Sequence, residues 1–448
     1  MANDFDVKNL TVASSEDALT GKALVMFDPT TGEPSAFDAS AMFKGADKCY
    51  GVRWFTGTVT NPSFTAGQVG LLRVGNAKMH QTLPVQSLMR GCLLDDDGNV
   101  VEYLSGGWED HDLSGAKGQV MVEIPGAWWR FPDQAYSGDI RDRSALVSLE
   151  YFEGAHFVPK FYVGAYEAYR DANGKLCSVA GVKPTTATSM TAFRTAARKR
   201  NASNTKWNIV AYEQYKVIFW LYMIEYANRN CQTAVNTARD ANGFRQGGLG
   251  TGVTNVSNWE AFNGYYPFVL TGTSNALGDD SGEVNVSASE YVNNGVTLIT
   301  SDSFVHVNRY RGIELPFGHI FEFIDGIRVY APDSATDRTV YTTDDPAKFA
   351  AGDTSISGWE NIGKEAGSEG YVKQLIFGSK GEIMASHIGA GSTSYWSDYH
   401  YVANTGIRAV LFGGYADDGA NAGLAFSLSV DAPSYTHAGI GSRLCFIP

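Results

Sequence analysis

The sequence predicts an α+β fold in which short strands and long irregular loops outnumber helices. Glycine accounts for 49 of the 448 residues and charged residues for only 19%, a composition typical of turn-rich chains rather than helical bundles. Short apolar runs with alternating polarity recur along the chain and end at glycine, asparagine or aspartate, as strands and their turns do. Two segments, beginning near residues 188 and 211, have the periodicity of a helix.

The charge of the chain excludes some classes of partner. Its formal net charge is −13 and its pI is near 5.1. Nucleic acids and anionic membranes attract clustered lysine and arginine, so we expect neither partner. No long apolar run occurs, and the first residues, MANDFDVKNLTVASSED, lack the basic and apolar regions of a signal peptide. We therefore expect a protein that is made without Sec export and does not insert into a membrane.

Cysteine usage and motifs give no indication of catalysis. The sequence contains no Cys-x-x-Cys pair, which indicates free, buried thiols in a protein that folds in the cytosol. Nucleophile elbows, HExxH helices, P-loops, dinucleotide fingerprints and zinc-binding cysteine sets do not occur in their required contexts. We therefore expect no enzyme activity, no cofactor and no metal. The five widely spaced cysteines are Cys49, Cys92, Cys177, Cys231 and Cys445.

The first 180 residues divide into two predicted parts. Residues 1–48 are polar and turn-rich, which fits either a flexible segment or an attachment and oligomerisation segment. Residues 49–180 read as a β-rich region with hairpin turns at Asp97-Gly98 and near Asn173-Gly174. The three aspartates 95–97 are interpreted as a turn, because the spacing and distal glutamate of a calcium loop are missing.

Two helices are predicted in the middle of the chain. Thr188 or Ser189 can cap the first, which has an apolar side and a basic side that includes Arg194; we interpret the basic side as solvated. The second runs from Ala211 to about Cys231 and is apolar nearly all round, so it should be buried.

The chain beyond the helices is irregular and polar for long stretches. Residues 242–302 are rich in loops, and residues 331–370 are predicted to form a polar insert on the surface. An aromatic cluster precedes the last forty residues, and it fits either core packing or a share in a binding face. Its members are Tyr395, Trp396, Tyr399, His400 and Tyr401.

The last forty residues have an unusual pattern. Strand-like runs near residues 407–412 and 442–447 bracket residues 415–440, where glycine and alanine recur among a mixed set of side chains. Lys, Glu, Gln, Met and Trp do not occur in that segment, an absence with a chance of roughly one in fifty by composition alone. If ancestral AAC codons mutated only at adenines, those five residues would be unreachable, whereas Tyr, Asp, His, Gly, Val, Ser, Phe and Leu would be reachable. The pattern therefore suggests adenine-directed diversification.

The motif GGYADDGANAGLAFSLSVDAPSYTHAGIGSRLCF at residues 413–446 closely resembles the variable region of proteins diversified by retroelements, especially those of gut bacteria and their phages. Segments YEQYKVIFWLYMIEYANRNCQTAVN and RGIELPFGHIFEFIDGI are similar to the scaffold of that family. The resemblance implies a C-type lectin fold, related to the formylglycine-generating enzyme, over residues 181–448, with a variable region at about 407–448. It also implies that Glu314 and His319 are buried hydrogen-bonding residues of the scaffold.

The resemblance further implies the function and the site. Phage members of the family are tail-tip receptor-binding proteins, so we expect a homotrimer in the virion tail that binds a host surface protein or glycan and contacts other tail proteins. Glycines and alanines of the motif should form a rigid frame, with Tyr415, Phe426, Tyr435 and His437 as the main binding residues. The expected ligand-binding positions are Tyr415, Asp417, Asp418, Asn421, Phe426, Ser427, Leu428, Ser429, Val430, Asp431, Tyr435, His437 and Gly439.

Three other functions remain open at this point. The first alternative is a diversified ligand-binding protein of a bacterium instead of a phage. The sequence leaves open whether the gene lies in a phage, a prophage or a bacterial chromosome. A purely structural virion protein is a second alternative. A catalytic relative of the formylglycine-generating enzyme is disfavoured, because that enzyme uses a cysteine pair and only Cys445 stands near the matching end.

Overall fold

The structure is a computed structural model that describes residues 24–27, 34–37, 47–57, 59, 67–264, 267–332 and 337–448. Strands Leu24–Phe27 and Pro34–Phe37 pair as a hairpin. Most of the predicted N-terminal segment, residues 1–48, lies outside the described residues.

Three large sheets contain most of the strands. The N-terminal sheet places Ile140–Ser148 beside both Tyr50–Phe55 and Ala127–Arg130. Its strands, in spatial order, are His156–Val158, Ala127–Arg130, Ile140–Ser148, Tyr50–Phe55 and Leu72–Gly75, with Asp133–Ser137 paired to Ile140–Ser148.

The second large sheet, which we call the bridging sheet, joins the last strand of the chain to strands of the β-rich region. Its strand Arg443–Phe446 lies between Trp207–Ile209 and Phe161–Glu167. The sheet therefore crosses the predicted boundary at residue 180, and the last strand of the motif belongs to a sheet built mainly from the β-rich region. The spatial order is Trp207–Ile209, Arg443–Phe446, Phe161–Glu167, Gln119–Ile124, Arg90–Leu94 and Val100–Tyr103.

The C-terminal sheet has nine strands and carries most of the predicted variable region. Strand Phe321–Ala331 pairs with Gly406–Gly413, and Ile440–Gly441 adds to its other edge in parallel. The remaining order is Glu360–Lys364, Thr339–Thr342, Phe321–Ala331, Gly406–Gly413, Gly423–Ser429, Tyr399–Val402, Gly370–Phe377 and Glu382–Ile388.

Four smaller sheets and one short helix complete the described part of the fold. Residues 242–302, predicted as loops, hold several of these elements around an apolar cluster that includes Trp259 and Phe268. The small sheets are Tyr169–Arg170 with Leu176–Cys177, Val235–Arg239 with Arg245–Gly247, Gly282–Ser287 with Phe304–Tyr310 and Ile313–Glu314, and Val292–Asn293 with Val296–Thr297.

The described α-helices are Ala77–Thr82, Met190–Arg198, Tyr212–Tyr226 and Trp259–Phe262. We call Tyr212–Tyr226 the central helix, and every residue in it except Glu213 is buried, as predicted. It ends before Cys231 because Ala227 adopts a left-handed conformation with φ of 49°. Within the described part of the chain, each helix is too short or too polar to cross a membrane.

The central helix packs against the aromatic core of the protein. Trp220 stacks on Trp54 at 5.4 Å between ring centroids, and Trp396 lies edge-on to both. The same apolar cluster includes Phe412 and Leu424, so one face of the C-terminal sheet is covered by this helix. Side chains that alternate with them along the strands point to the opposite face.

The helix Met190–Arg198 is capped by the Ser189 hydroxyl, which accepts a hydrogen bond from the Ala192 amide, as predicted. Its basic side, however, is not fully solvated. Arg194 is 2% exposed and donates to both carboxylate oxygens of Asp325, with Nε 2.5 Å from Oδ2. The prediction is wrong for Arg194, because the C-terminal sheet passes beneath this side of the helix and presents Asp325 to it.

The prediction that residues 331–370 form a surface insert is wrong for the two strands in the described part of that range, residues 331–332 and 337–370. Strands Thr339–Thr342 and Glu360–Lys364 extend the C-terminal sheet beyond Phe321–Ala331. Arg338 is fully buried and its Nε lies 2.5 Å from Glu365 Oε1. The polar composition of this segment reflects a buried ion pair, an edge strand and the largely exposed connection between Thr342 and Glu360.

Several local predictions are confirmed. Asp95 accepts backbone hydrogen bonds from residues 97 and 99 and so forms a turn, and the second hairpin closes at Gly174 with φ of 75°. Glu314 accepts from the amides of Gly272 and Ser274, and His319 pairs with the buried Glu167 at 2.7 Å. All five cysteines are free and buried. The β-rich fold is confirmed, and the C-type lectin fold stays a prediction.

Candidate ligand-binding surface

A strand that the sequence pattern did not reveal, Gly423–Ser429, forms the centre of the predicted variable region. It pairs antiparallel with Gly406–Gly413 and parallel with Tyr399–Val402. Its residues GLAFSLS are apolar or small on both faces because both faces are covered, so the period-two alternation of a surface strand is absent. Its side chains therefore divide between an inner face and an outer face.

The turn between residues 413 and 422 is fixed by two glycine conformations and by hydrogen bonds from two side chains to the backbone. Gly413 and Gly414 have φ of 91° and 77°, values that side chains disfavour. The Tyr415 amide donates to Asp418 Oδ2 at 2.8 Å. The Gln232 amide group donates to the carbonyl oxygens of Gly419 and Ala422 at 2.8 and 2.7 Å. The path of the chain thus depends on few side chains of the segment itself.

Gly423 is required by a close contact with Asp398. A Cβ at residue 423 would lie 2.2 Å from Asp398 Oδ1. Asp398 is 1% exposed, and its Oδ2 accepts from the Ala425 amide at 2.7 Å. Burial raises the pKa of Asp398 well above its usual range. This pair fixes the register of the strand where it leaves the turn.

Two predicted binding residues, Ser427 and Ser429, face a buried polar network. Ser427 Oγ lies 2.8 Å from His400 Nδ1, and Ser429 Oγ donates to Glu365 Oε1 at 2.8 Å. Arg338 donates to the Ser429 carbonyl oxygen at 2.8 Å. Both serines are 0% exposed, so the expectation that they contact a ligand is wrong for this structure.

Phe426 and Gly439 are also buried, although both were predicted to contact the ligand. The Phe426 ring is 0% exposed and lies 5.5 Å from the Phe321 ring and 5.7 Å from the Tyr401 ring. Gly439 accepts a hydrogen bond from the Phe321 amide through its carbonyl oxygen. Strand geometry explains the burial, because Phe426 points into the space between the C-terminal sheet and its neighbours.

Above Phe426 lies a partly exposed aromatic surface that we call the tyrosine face. Tyr399 and Tyr401 are 4.5 Å apart between ring centroids, and Tyr371 meets Tyr399 edge-on at 5.1 Å. The Tyr415 ring lies 4.4 Å from Phe321, and the Asn421 amide donates to the Tyr401 hydroxyl at 3.1 Å. The face is defined by Tyr371, Tyr399, Tyr401, Tyr415 and Leu428.

The aromatic cluster at residues 395–401 divides between the interior and the surface. Trp396 and His400 are 1% and 0% exposed and belong to the interior, whereas Tyr399 and Tyr401 are partly exposed. Sequence reasoning missed Tyr371, because it lies 28 residues upstream of Tyr399. Only the pairing of their two strands brings the two tyrosines together.

A second part of the surface is the loop of residues 430–439. Tyr435 is 43% exposed and stacks on His437, with ring planes at 10° and centroids 6.2 Å apart. The Met190 amide donates to the Pro433 carbonyl oxygen, so the loop runs from the strand Gly423–Ser429 to the start of the helix Met190–Arg198. Val430 and Asp431 are partly exposed. The loop and the tyrosine face are therefore neighbours on the outer face of the sheet.

Nine of the thirteen predicted positions have some exposure. Asp417 and Tyr435 are exposed, and the others are partly exposed. The nine positions are Tyr415, Asp417, Asp418, Asn421, Leu428, Val430, Asp431, Tyr435 and His437.

The aspartates of the surface are easier to protonate than ordinary carboxylates. Burial, together with the neighbouring Asp417 carboxylate, raises the pKa of Asp418 to about 7 against the opposing hydrogen bond from the Tyr415 amide. Burial also raises the pKa of Asp417 and of Asp431, while His437 and Arg408 oppose the shift at Asp431. Near neutral pH the charge of this surface is therefore pH-dependent.

Replacing Asp418 with asparagine is expected to flatten the dependence of stability on pH. Between about pH 4 and pH 7 the folded chain keeps the Asp418 proton that the unfolded chain has lost, so the wild type loses stability as pH rises. The loss amounts to as much as about 4 kcal/mol for a shift of this size. The asparagine oxygen can still accept from the Tyr415 amide. Urea denaturation at pH 5 and pH 8 measures the difference, and parallel pH profiles for the two proteins would contradict it.

The surface as a whole is broad and lacks the features of a metal centre. Among the described residues, no group of three or more His, Cys, Asp or Glu side chains is arranged to hold a metal ion. What the surface offers is aromatic area, a few carboxylates and an amide.

Fold and surface together define a β-rich protein with a fixed glycine and alanine frame beneath a broad aromatic surface. No family model matches the chain, and no curated protein matches it. Among solved structures it is similar to the M1 variant of the Major Tropism Determinant, at 11% identity and a TM-score of 0.26, covering 89% of this chain and 72% of that chain. The I1 variant has the same coverage, at 10% identity and a TM-score of 0.25. Similarity at this level does not establish a shared fold.

Proposed function

We propose that this chain is a diversified receptor-binding protein of a phage tail tip, with a C-type lectin scaffold, that binds a ligand on the host cell surface. The observation that carries the proposal is the division of residues 413–441 into two sets. Glycines and alanines such as Gly414, Ala422 and Gly423 hold the backbone through close contacts. The nine exposed or partly exposed positions carry unrelated side chains. That division suits a frame whose displayed residues can be exchanged without loss of the fold.

Binding would rest on the tyrosine face and on the loop of residues 430–439. Tyrosine rings bury a large area at little entropic cost, and Tyr415, Tyr401 and Tyr435 are the most favourable anchors. Asp417 and Asp431 would set charge complementarity and the rate of association. A homotrimer, expected from the resemblance to phage proteins, would convert weak single-site contacts into tight attachment through avidity.

We infer that the function is not catalytic. The one cysteine near the end that matches the formylglycine-generating enzyme, Cys445, is 0% exposed. Burial raises the pKa of its thiol well above the usual range, which opposes formation of the reactive thiolate. A buried, protonated thiol in a strand supports packing of the bridging sheet rather than oxidation chemistry.

Attachment to host cells tests the proposal. Fluorescently labelled chain is incubated with intact bacteria, and binding is compared between the wild type and the Tyr435→Ala and Tyr401→Ala variants. Each substitution should weaken binding by about tenfold or more, since exposed aromatic anchors contribute about 2 kcal/mol to interfaces of this kind. Thermal unfolding should remain close to that of the wild type for Tyr435→Ala.

A matched control is available outside the surface. Tyr151 is 57% exposed and rests against Trp128 in the N-terminal sheet region, so Tyr151→Ala removes an equal ring far from the variable segment in sequence. The control should bind like the wild type. Unchanged attachment by both Tyr435→Ala and Tyr401→Ala, or a loss with Tyr151→Ala alone, would place the receptor site elsewhere.

A further inference from the structure

Two depressions in the surface meet at Thr191, at the start of the helix Met190–Arg198. The larger, of about 600 Å³, lies between Thr354, Arg408 and Ser434. The smaller, of about 320 Å³, lies between Arg170, Thr195 and Lys199. Thr191 lines both, so the two depressions adjoin at this residue, and we call the pair the helix-start groove. The larger depression borders the loop of residues 430–439 through Pro433 and Ser434.

Three cations line the groove with few partners. The Arg408 guanidinium makes one long hydrogen bond, from Nη1 to the Val430 carbonyl oxygen at 3.4 Å, and its Nε has no partner in the described part of the chain. Arg170 and Lys199 are exposed. Within the described residues, none of the three cations has a carboxylate oxygen within 4.0 Å. Their charge is thus available to a ligand.

The carboxylates that face the groove do not cancel this charge. Asp353 at its wall is already paired with Arg194 at 2.8 Å and Arg328 at 2.6 Å, and it accepts from the Thr191 hydroxyl. Asp431 lies beside Arg408 and offsets part of its charge, which leaves Arg170 and Lys199 as the two exposed cations of the groove. The groove is therefore a locally positive strip on a chain of net charge −13. Such a strip attracts anionic ligands that the rest of the surface repels.

Hydroxyl groups line the groove between the cations. Ser189, Thr191 and Thr195 line the smaller depression. Thr191, Thr354 and Ser434 line the larger one. Hydroxyls that both donate and accept hydrogen bonds suit the hydroxyls of a sugar ring, while arginine and lysine suit carboxylate or phosphate oxygens.

We propose that the helix-start groove binds an anionic polysaccharide, a chain of sugars or polyols that carries carboxylate or phosphodiester groups. The proposal rests on the receptor-binding function and names the chemical class of the host ligand. In this arrangement the charged groups of the polymer meet Arg170, Lys199 and Arg408, and Tyr435 lies on the loop beside the larger depression. The polymer would continue from the groove onto the tyrosine face.

Binding of defined soluble polymers to the full chain tests the proposal. The probes are polygalacturonate for carboxylates, poly(glycerol phosphate) for phosphodiesters, neutral dextran, and poly-glutamate as an acidic peptide. We expect saturable binding of one or both anionic glycan probes, none of dextran, and at least about tenfold weaker binding of poly-glutamate. Binding should weaken with added salt. The anionic probe that binds shows whether the site recognises carboxylates or phosphodiesters. Equal binding of poly-glutamate would overturn recognition of a glycan.

Variants locate the site. The double substitution Arg170→Gln with Lys199→Gln should weaken polymer binding by about tenfold. The matched control, Lys78→Gln with Lys117→Gln, removes the same charge from exposed lysines outside the groove and should change binding by less than about twofold. Equal losses in the two double variants would show a non-specific charge effect and overturn the site. Both pairs are exposed, so thermal unfolding should match the wild type.

The outcomes separate this inference from the proposed function. Attachment to cells that depends on Tyr435, without binding of either anionic polymer, would overturn the groove and leave receptor binding in place. Polymer binding that depends on Lys199, without attachment to any host cell, would support the groove and contradict the receptor-binding function.

Discussion

Replacement of Phe426 by alanine is expected to lower the free energy of unfolding by about 3–5 kcal/mol, the range observed for large aromatic residues removed from a core. The ring is fully buried and lies among Phe321, Tyr401 and the aliphatic residues of the same cluster. Its removal leaves a cavity at the centre of the strand that carries the surface. Urea denaturation of the purified chain measures the change.

The comparison with Tyr435→Ala makes this result informative. Tyr435 is 43% exposed, so its truncation should change stability by less than about 0.5 kcal/mol. From the sequence alone the two aromatics were equivalent binding residues; the structure assigns one to the core and one to the surface. A Phe426→Ala variant as stable as Tyr435→Ala would contradict the inward orientation of Phe426.

Replacement of Arg194 by glutamine is expected to destabilise the chain by about 3–5 kcal/mol, because it leaves buried carboxylates short of a cation. Arg194 donates to Asp325 and Asp353, and Arg328 is the second cation of the cluster. Asp325 and Arg328 are both 0% exposed. With Arg194 removed, one guanidinium remains for two carboxylates in the interior.

Lys199, one turn further along the same basic side, is the matched control. It is exposed, so Lys199→Gln should change stability by less than about 0.5 kcal/mol. Denaturation curves of the two variants, recorded under the same conditions, measure the difference. Equal and small effects would restore the original interpretation of a solvated basic face.

Local features of the fold were predictable because they depend on neighbours in sequence. The Ser189 cap needs only the Ala192 amide three residues on, and the turn at Asp95 needs only residues 97 and 99. The central helix was recognisable because a run without a polar face can only be buried.

Features that depend on sheet pairing were not predictable in the same way. The strand Gly423–Ser429 is covered on both faces and has lost the alternation that marks a strand, so Phe426 and Ser427 could not be assigned to an inner or outer face. In the sequence, Arg338 and Glu365 have the character of surface residues. Strand pairing brings them together as a buried ion pair. Tyr371 joins Tyr399 only through the pairing of two distant strands.

The central claim is that residues 415–440 display exchangeable side chains on a fixed frame. Frame residues are identified by contacts that forbid a larger side chain, as at Gly414, where a Cβ would lie 2.8 Å from Ala422 Cβ, and at Gly423. Displayed residues are identified by exposure, as at Asp417 and Tyr435. The two sets alternate closely along the chain, which fits exchange of single side chains more than exchange of whole loops.

The most direct test of this claim is the DNA sequence around the gene, searched for a near copy of the codons for residues 407–448. We predict a copy that differs only at its adenines, lies beside a reverse transcriptase gene, and has mismatches in the codons of exposed or partly exposed positions such as Tyr415, Asp417, Tyr435 and His437. The codons for Gly414, Ala422 and Gly423 should be identical in the copy. Mismatches spread over all four bases, or a complete genome without any copy, would contradict diversification of this surface.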